Sequence, residues 1–196
     1  DDDVLDDDDA ANDDDAANDD DAANDDDATA PDCVVIPEQT AGPFYFDADQ
    51  VRTDITEGRP GAPLALALSI VDAATCEPIP DAIVDLWHAD AIGLYSGYPN
   101  QGDGQDVDTS GEAFLRGIQV TDAQGQVSFT SLFPGWYPGR TAHVHVKIHL
   151  DALTVATTQF YFPQPVNDAV FAEPPYSERT TAPVSNDNDA IFDSLD

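Results

Sequence analysis

Eight consecutive residues, HVHVKIHL from His143 to Leu150, hold three of the four histidines of this 196-residue chain. His143, His145, Lys147 and His149 share one parity; Val144, Val146, Ile148 and Leu150 share the other. This period-2 pattern predicts a β-strand with one polar and one apolar face. Side chains two apart on a strand stand about 6.6 Å apart on one face, so His143 and His145 can turn toward one ion about 2 Å from each nitrogen. His149, about 13 Å beyond His145, cannot join that site. The H-x-H pair is therefore a candidate two-point metal clamp, set against the plainer reading of a polar strand face.

The residues that could complete such a site are tyrosines rather than acids. Tyr137 lies in PGWYPGR, six residues before His143, in a Pro/Gly-rich bend that leads into the strand. Tyr95 lies in DAIGLYSGY, just past a strand-like segment ending in DLWHAD. Taken singly, each reads as a tyrosine packing at a loop. Asp and Glu are abundant, but none sits at a distinctive spacing from the histidines. The segment DVDTSGEAFLRG begins like an EF-hand loop, yet its twelfth position is Gly117 rather than Glu, and an ordinary acidic loop is expected.

The elements that must position these groups read as strands. LALALSIV (64–71), AIVDLWH (82–88), FLRGIQVT (114–121), QVSFT (126–130), the histidine strand and VATTQFYF (155–162) are short, β-branched or aromatic, and separated by turn residues. TDAQGQ (121–126) predicts a tight hairpin, and no stretch shows helical periodicity beyond two turns. The expected fold is all-β, a β-sandwich over residues 31–196 with long loops at 42–63 and 95–113.

Residues 1–30 differ in kind: AANDDD occurs three times in tandem from Ala10, Ala16 and Ala22. Seventeen of the 40 acidic residues fall in residues 1–32, which hold no Lys or Arg, leaving 23 acidic against six basic residues beyond them. A disordered, solvated Asp-rich spacer is expected there. Both parts would repel nucleic acid and anionic membrane surfaces, and no apolar run approaches the roughly 20 residues of a membrane helix. The chain contains no Met, even at its first position, so export through a removed signal peptide to a secreted or cell-envelope location is expected. Cys33 and Cys76 fit one disulfide in an oxidising compartment, although spacing alone fits two buried thiols equally well.

Taken together, TAGPFY (40–45), DAIVDLWHADAIGLYS (81–96), FLRGIQVTDAQGQVSFTSLFPGWYPGRTAHVHVKI (114–148) and TQFYF (158–162) resemble the intradiol ring-cleavage dioxygenases. The likeness is strongest to the secreted type related to the protocatechuate 3,4-dioxygenase β-subunit, and it covers about residues 33–195. The resemblance implies a mononuclear non-haem Fe(III) held by Tyr95, Tyr137, His143 and His145, with Tyr137 leaving the metal when substrate binds. It also implies active-site roles for Arg140 and Gln159, a structural role for His88 of DLWHAD, and a place near the pocket for Pro43 and Tyr45. The implied partners are a small catechol-type substrate and O2, and the implied products are cis,cis-muconates. Secreted members often carry Cys where Ala89 stands here. Two rival readings make different predictions: a non-catalytic β-sandwich binding module, and a zinc hydrolase with an acidic third ligand beside His143 and His145.

Overall fold

The computed structural model describes residues 33, 35–151 and 155–192. The acidic repeats, and with them the expected spacer, lie outside the described residues. Among the described residues six strands form two sheets: β1 (Pro63–Ser69) pairs with β4 (Gln126–Leu132), and β3 (Arg116–Val120), β2 (Ile83–Trp87), β5 (His143–His149) and β6 (Val155–Tyr161) lie in that order. All pairings between these strands are antiparallel. The all-β sandwich read from the sequence is the fold, and each strand falls within two residues of its expected limits.

Strand parity divides the larger sheet into two functional faces. Val84, Leu86, Val144 and Val146 are fully buried against Val127, Phe129 and Leu132 in the main core. Burying such a side chain contributes about 1.5–3 kcal/mol, which fixes the register because a one-residue slip would turn the whole set outward. The opposite parity carries Trp87, His143 and His145 to the other face, where a second cluster of Trp87, Ala89 and Tyr95 packs with Phe44, Tyr45, Tyr98 and Tyr137. The histidine half of β5 is thus buried on both faces, and its polar parity faces the second cluster rather than solvent. Only its end at Lys147–His149 is partly exposed.

Two further expectations are corrected. The 121–126 turn is tight, with Gly125 N donating to Asp122 O at 2.9 Å, but β3 and β4 do not form a hairpin. They belong to different sheets, because β3 pairs with β2 while Val127 and Phe129 of β4 pair with β1. A helix, α1 (Gln164–Phe171), follows β6 and was not legible as periodicity. It has eight residues and no acidic first turn or basic last turn, so it is held by burial of Asn167 and Phe171 rather than by its own propensity.

Candidate metal centre

Sheet register assembles one wall of the site. Trp87 lies opposite His145, and His145 opposite Gln159; two residues along, on the same face, His143 lies opposite Tyr161. The Trp87 and His145 rings are stacked, with centroids 4.8 Å apart and 4° between planes, which locks the imidazole's tilt. His143 Nδ1 lies 2.7 Å from the Thr141 carbonyl oxygen, which can only accept, so Nδ1 carries the proton and Nε2 presents its lone pair to the cavity.

Two loops supply the opposite wall. The Tyr95 loop is held by Asp90, whose Oδ1 accepts from Leu94 N at 2.9 Å, and by Gln101 Oε1, which accepts from Tyr95 N at 3.1 Å. It crosses the Tyr137 loop at reciprocal glycines. A Cβ on Gly93 would strike the Trp136 carbonyl oxygen, and a Cβ on Gly135 would strike that of Ala91. Gly135 N also donates to Asp90 O at 2.9 Å. Only hydrogen at these two α-carbons lets the loops meet backbone to backbone, and that contact brings the two phenols together. Phe44 stacks on Tyr95 at 4.5 Å and meets Tyr137 edge-on at 6.1 Å, closing a third side.

Four donor atoms converge as a result. His143 Nε2 lies 3.2 Å from Tyr95 Oη, 3.3 Å from Tyr137 Oη and 3.2 Å from His145 Nε2. Burial pushes the Tyr95 hydroxyl well above its ordinary pKa, reinforced by Tyr137 beside it. Tyr137 is also raised by burial, against the pull of Arg140. Burial, with Arg140 adding to it, drives His143 down to about 3, and burial with His143 drives His145 well below its usual range. Both imidazoles are therefore neutral, the form that ligates metals. His145 Nδ1 is buried without a hydrogen-bond partner. If Nδ1 carries the proton, an orphan donor is buried and two lone pairs face each other across the cavity; if Nε2 carries it, an orphan acceptor is buried. Each alternative costs about 1–3 kcal/mol. A cation at the centre removes the repulsion between facing lone pairs, so the donor set fits a metal ion.

Arg140 stands beside this cluster. Its Nε donates to both Asp189 carboxylate oxygens at 3.0 and 2.9 Å, and Nη1 lies 3.3 Å from Tyr137 Oη. Nη2 donates to Gln159 Oε1 at 2.5 Å and Tyr161 Oη at 3.1 Å. Gln159 is itself fixed by donating from Nε2 to Thr40 O at 2.9 Å. All six residues singled out in the sequence as site members, Tyr95, Tyr137, Arg140, His143, His145 and Gln159, therefore meet in one place. Two members of the cluster carried no mark in the sequence. Tyr161 shares Gln159's strand parity and was findable from it; Asp189 has no local signature.

The other residues that drew notice in the sequence fall elsewhere. His88 is buried, with Nε2 2.7 Å from Ser131 Oγ and Nδ1 2.8 Å from Ala89 O, a packed structural histidine. Lys147 rests its ammonium 3.5 Å above the Tyr45 ring. Tyr45 packs on Trp87 behind the site, and the TAGPFY segment enters the pocket through Gly42 and Phe44 instead. Among the described residues, no three His, Cys, Asp or Glu side chains are grouped to hold a metal, so the acidic third ligand of the zinc reading is not found there.

Comparison with known proteins agrees with this geometry. The sequence profile of a family described as Dioxygenase matches residues 40–183. The chain superposes on an intradiol ring-cleavage dioxygenase from Tetranychus urticae with a TM-score of 0.75 and 35% identity, covering 82% of each chain. It is 33% identical to chlorocatechol 1,2-dioxygenase of Pseudomonas putida over 47% of this chain and 39% of that one. It is 27% identical to the protocatechuate 3,4-dioxygenase β chain of Burkholderia cepacia over 60% of this chain and 52% of that one. The chain belongs to the intradiol ring-cleavage dioxygenase family. It spans only about two fifths to one half of these two curated relatives.

Proposed function

We propose that this protein is a non-haem ferric dioxygenase that cleaves catechol-type rings with O2 between the two hydroxyl-bearing carbons, giving cis,cis-muconate-type products. The observation that carries the reading is the convergence of two phenol oxygens and two imidazole nitrogens on one buried point. Phenolate is a hard, strongly donating anion suited to a ferric ion rather than to zinc. Tyr95, Tyr137, His143 and His145 would hold the iron. Ferric iron there would supply Lewis acidity that favours the phenolate forms of Tyr95 and Tyr137 and the ionised form of a bound catechol.

The side chains around it divide the remaining work. Tyr95 is enclosed, whereas Tyr137 is only partly buried and lines the cavity, so Tyr137 is the phenol free to yield its place and accept a substrate proton. Arg140 Nη1 stands within reach of that hydroxyl. Arg140, held by Asp189, Gln159 and Tyr161, presents positive charge where negative charge develops on the ring carbon, a preorganised electrostatic role. Phe44, stacked on Tyr95, and Trp87, stacked on His145, wall the site with apolar rings, an arrangement that disfavours bulk water there. Both oxygen atoms enter the product, so no external reductant is required. We also infer that the protein works outside the reducing cytosol, an inference supported by the Cys33–Cys76 disulfide, whose Cα atoms are 5.6 Å apart. The test is turnover of catechol by the iron-replete protein under isotopically labelled O2. The expected product is cis,cis-muconate carrying both labelled atoms; no oxygen uptake across a panel of catechols overturns the reading.

A further inference from the structure

The charge around this site restricts which catechols it can take. The chain has six Lys and Arg residues in all. Arg52 pairs with Glu57 at 2.6 Å, Arg59 with Asp90, Arg140 with Asp189 at 2.9 Å and Arg179 with Asp103 at 3.3 Å. Arg116 is fully buried beneath the site, donating from Nε and Nη2 to Ser96 Oγ, Ser96 O and Phe44 O, with its guanidinium on the Phe46 ring and Nη1 without a partner. Lys147 lies on Tyr45.

Arg140, the guanidinium beside the donor cluster, is already engaged where a carboxylate would need it. Its Nε is taken by Asp189 and its Nη2 by Gln159 and Tyr161, so neither the Nε–Nη nor the Nη–Nη edge remains for a two-point grip. Asp189, fully buried, holds the Nε side, so only Nη1 faces Tyr137: one donor for a developing charge, not a two-point grip for a carboxylate. Among the described residues, the way in offers no free cation either. A cavity of about 200 Å³ reaches Tyr137 and Phe44 from the surface, and its mouth is lined by Asn100, Asp103 and Gln105. The cation nearest that mouth, Arg179, sits under it, hydrogen-bonded to the Trp136 carbonyl at 2.5 Å and committed to Asp103.

We propose that the site selects catechols without an anionic substituent, neutral or cationic, and discriminates against ring carboxylates. This rests on the catechol dioxygenase reading above. A catechol bound through two ionised oxygens already brings negative charge into the pocket, and a carboxylate on the same ring would be buried with no free guanidinium edge on Arg140 to meet it. It would also approach against the field of a strongly acidic molecule.

The test is anaerobic spectral titration of the ferric wild-type protein with catechol, 3,4-dihydroxybenzoate and 4-(2-aminoethyl)catechol at low and at high salt. At low salt the carboxylate is expected to bind roughly tenfold or more weaker than catechol, the order set by one uncompensated charge nearby. The aminoethyl compound should bind at least as tightly as catechol. Both differences should shrink at high salt, which separates charge from ring electronics. Asp103→Asn, which frees Arg179, should tighten the carboxylate severalfold relative to catechol. Equal or tighter binding of 3,4-dihydroxybenzoate at low salt, or a difference indifferent to salt, overturns the proposal. A wild-type protein with no ferric absorption before any ligand is added overturns the iron reading, and this inference with it.

Discussion

Arg140 has five N–H donors, and four neighbours shape what it can do with them. Asp189, Gln159 and Tyr161 fix its plane, leaving Nη1 beside the Tyr137 hydroxyl. A lysine keeps the charge and loses the fork. Arg140→Lys is therefore expected to bind iron and catechol nearly as the wild type does, while kcat falls by about 10²–10³, the loss typical of one preorganised donor. Unchanged kcat in iron-matched samples would remove Arg140 from the chemistry. This scale was the most legible in the sequence, because the tyrosines, the histidines and Arg140 lie in short motifs around two bends and one strand. Asp189 was not legible. It acts from 49 residues away, and in a chain this rich in aspartate nothing local distinguishes the one that meets Arg140.

Among the elements, the crossing of the Tyr95 and Tyr137 loops is the contact on which the site depends most. Its tolerance is set by main-chain atoms, which cannot swing aside as side chains do. Gly135→Ala should therefore destabilise the fold by about 1–3 kcal/mol, as overpacking does, and weaken ferric iron binding in the fraction that folds. Gly58→Ala, where a Cβ meets nothing within 4 Å but φ is +72°, separates the two causes: it should cost stability by backbone strain alone and leave iron binding unchanged. Thermal melts and iron titration read both. If Gly135→Ala binds iron as the wild type does, the loop crossing does not position the phenols. The strands themselves were legible because alternation reports burial directly: Val144 and Val146 go to the core, and His143 and His145 to the site. The connections were less so. The 121–126 turn has hairpin chemistry, but whether its strands pair is decided by partners distant in sequence. Helix α1 depends on packing that no eight-residue window reveals.

At the scale of the whole molecule, acidity extends into the interior. Asp85, on β2 behind the site, is nearly fully buried, and that burial is the main reason its pKa rises to about 6. Between about pH 4 and 6 the unfolded chain has released this proton while the native state retains it. The native state then binds more protons, and stability falls as pH rises through that window. Asp85→Asn lacks this titration. Variant and wild type should melt together near pH 4 and separate above pH 6, with the variant higher; a variant equal or lower at pH 7 contradicts the assignment. The sandwich was legible at this scale because it follows from strand length and parity. The distribution of the six cations was not, since pairing is a property of the folded surface.

The decisive experiment is the visible spectrum of the protein loaded with one equivalent of ferric iron, taken alongside Tyr95→Phe and Tyr137→Phe. The expected result is a burgundy protein whose tyrosinate-to-iron band is weakened by either substitution and shifts when catechol is added without oxygen. A protein that binds ferric iron yet is colourless, or whose band ignores both substitutions, would show that the two phenols do not hold the metal, and the ferric site described above would be wrong.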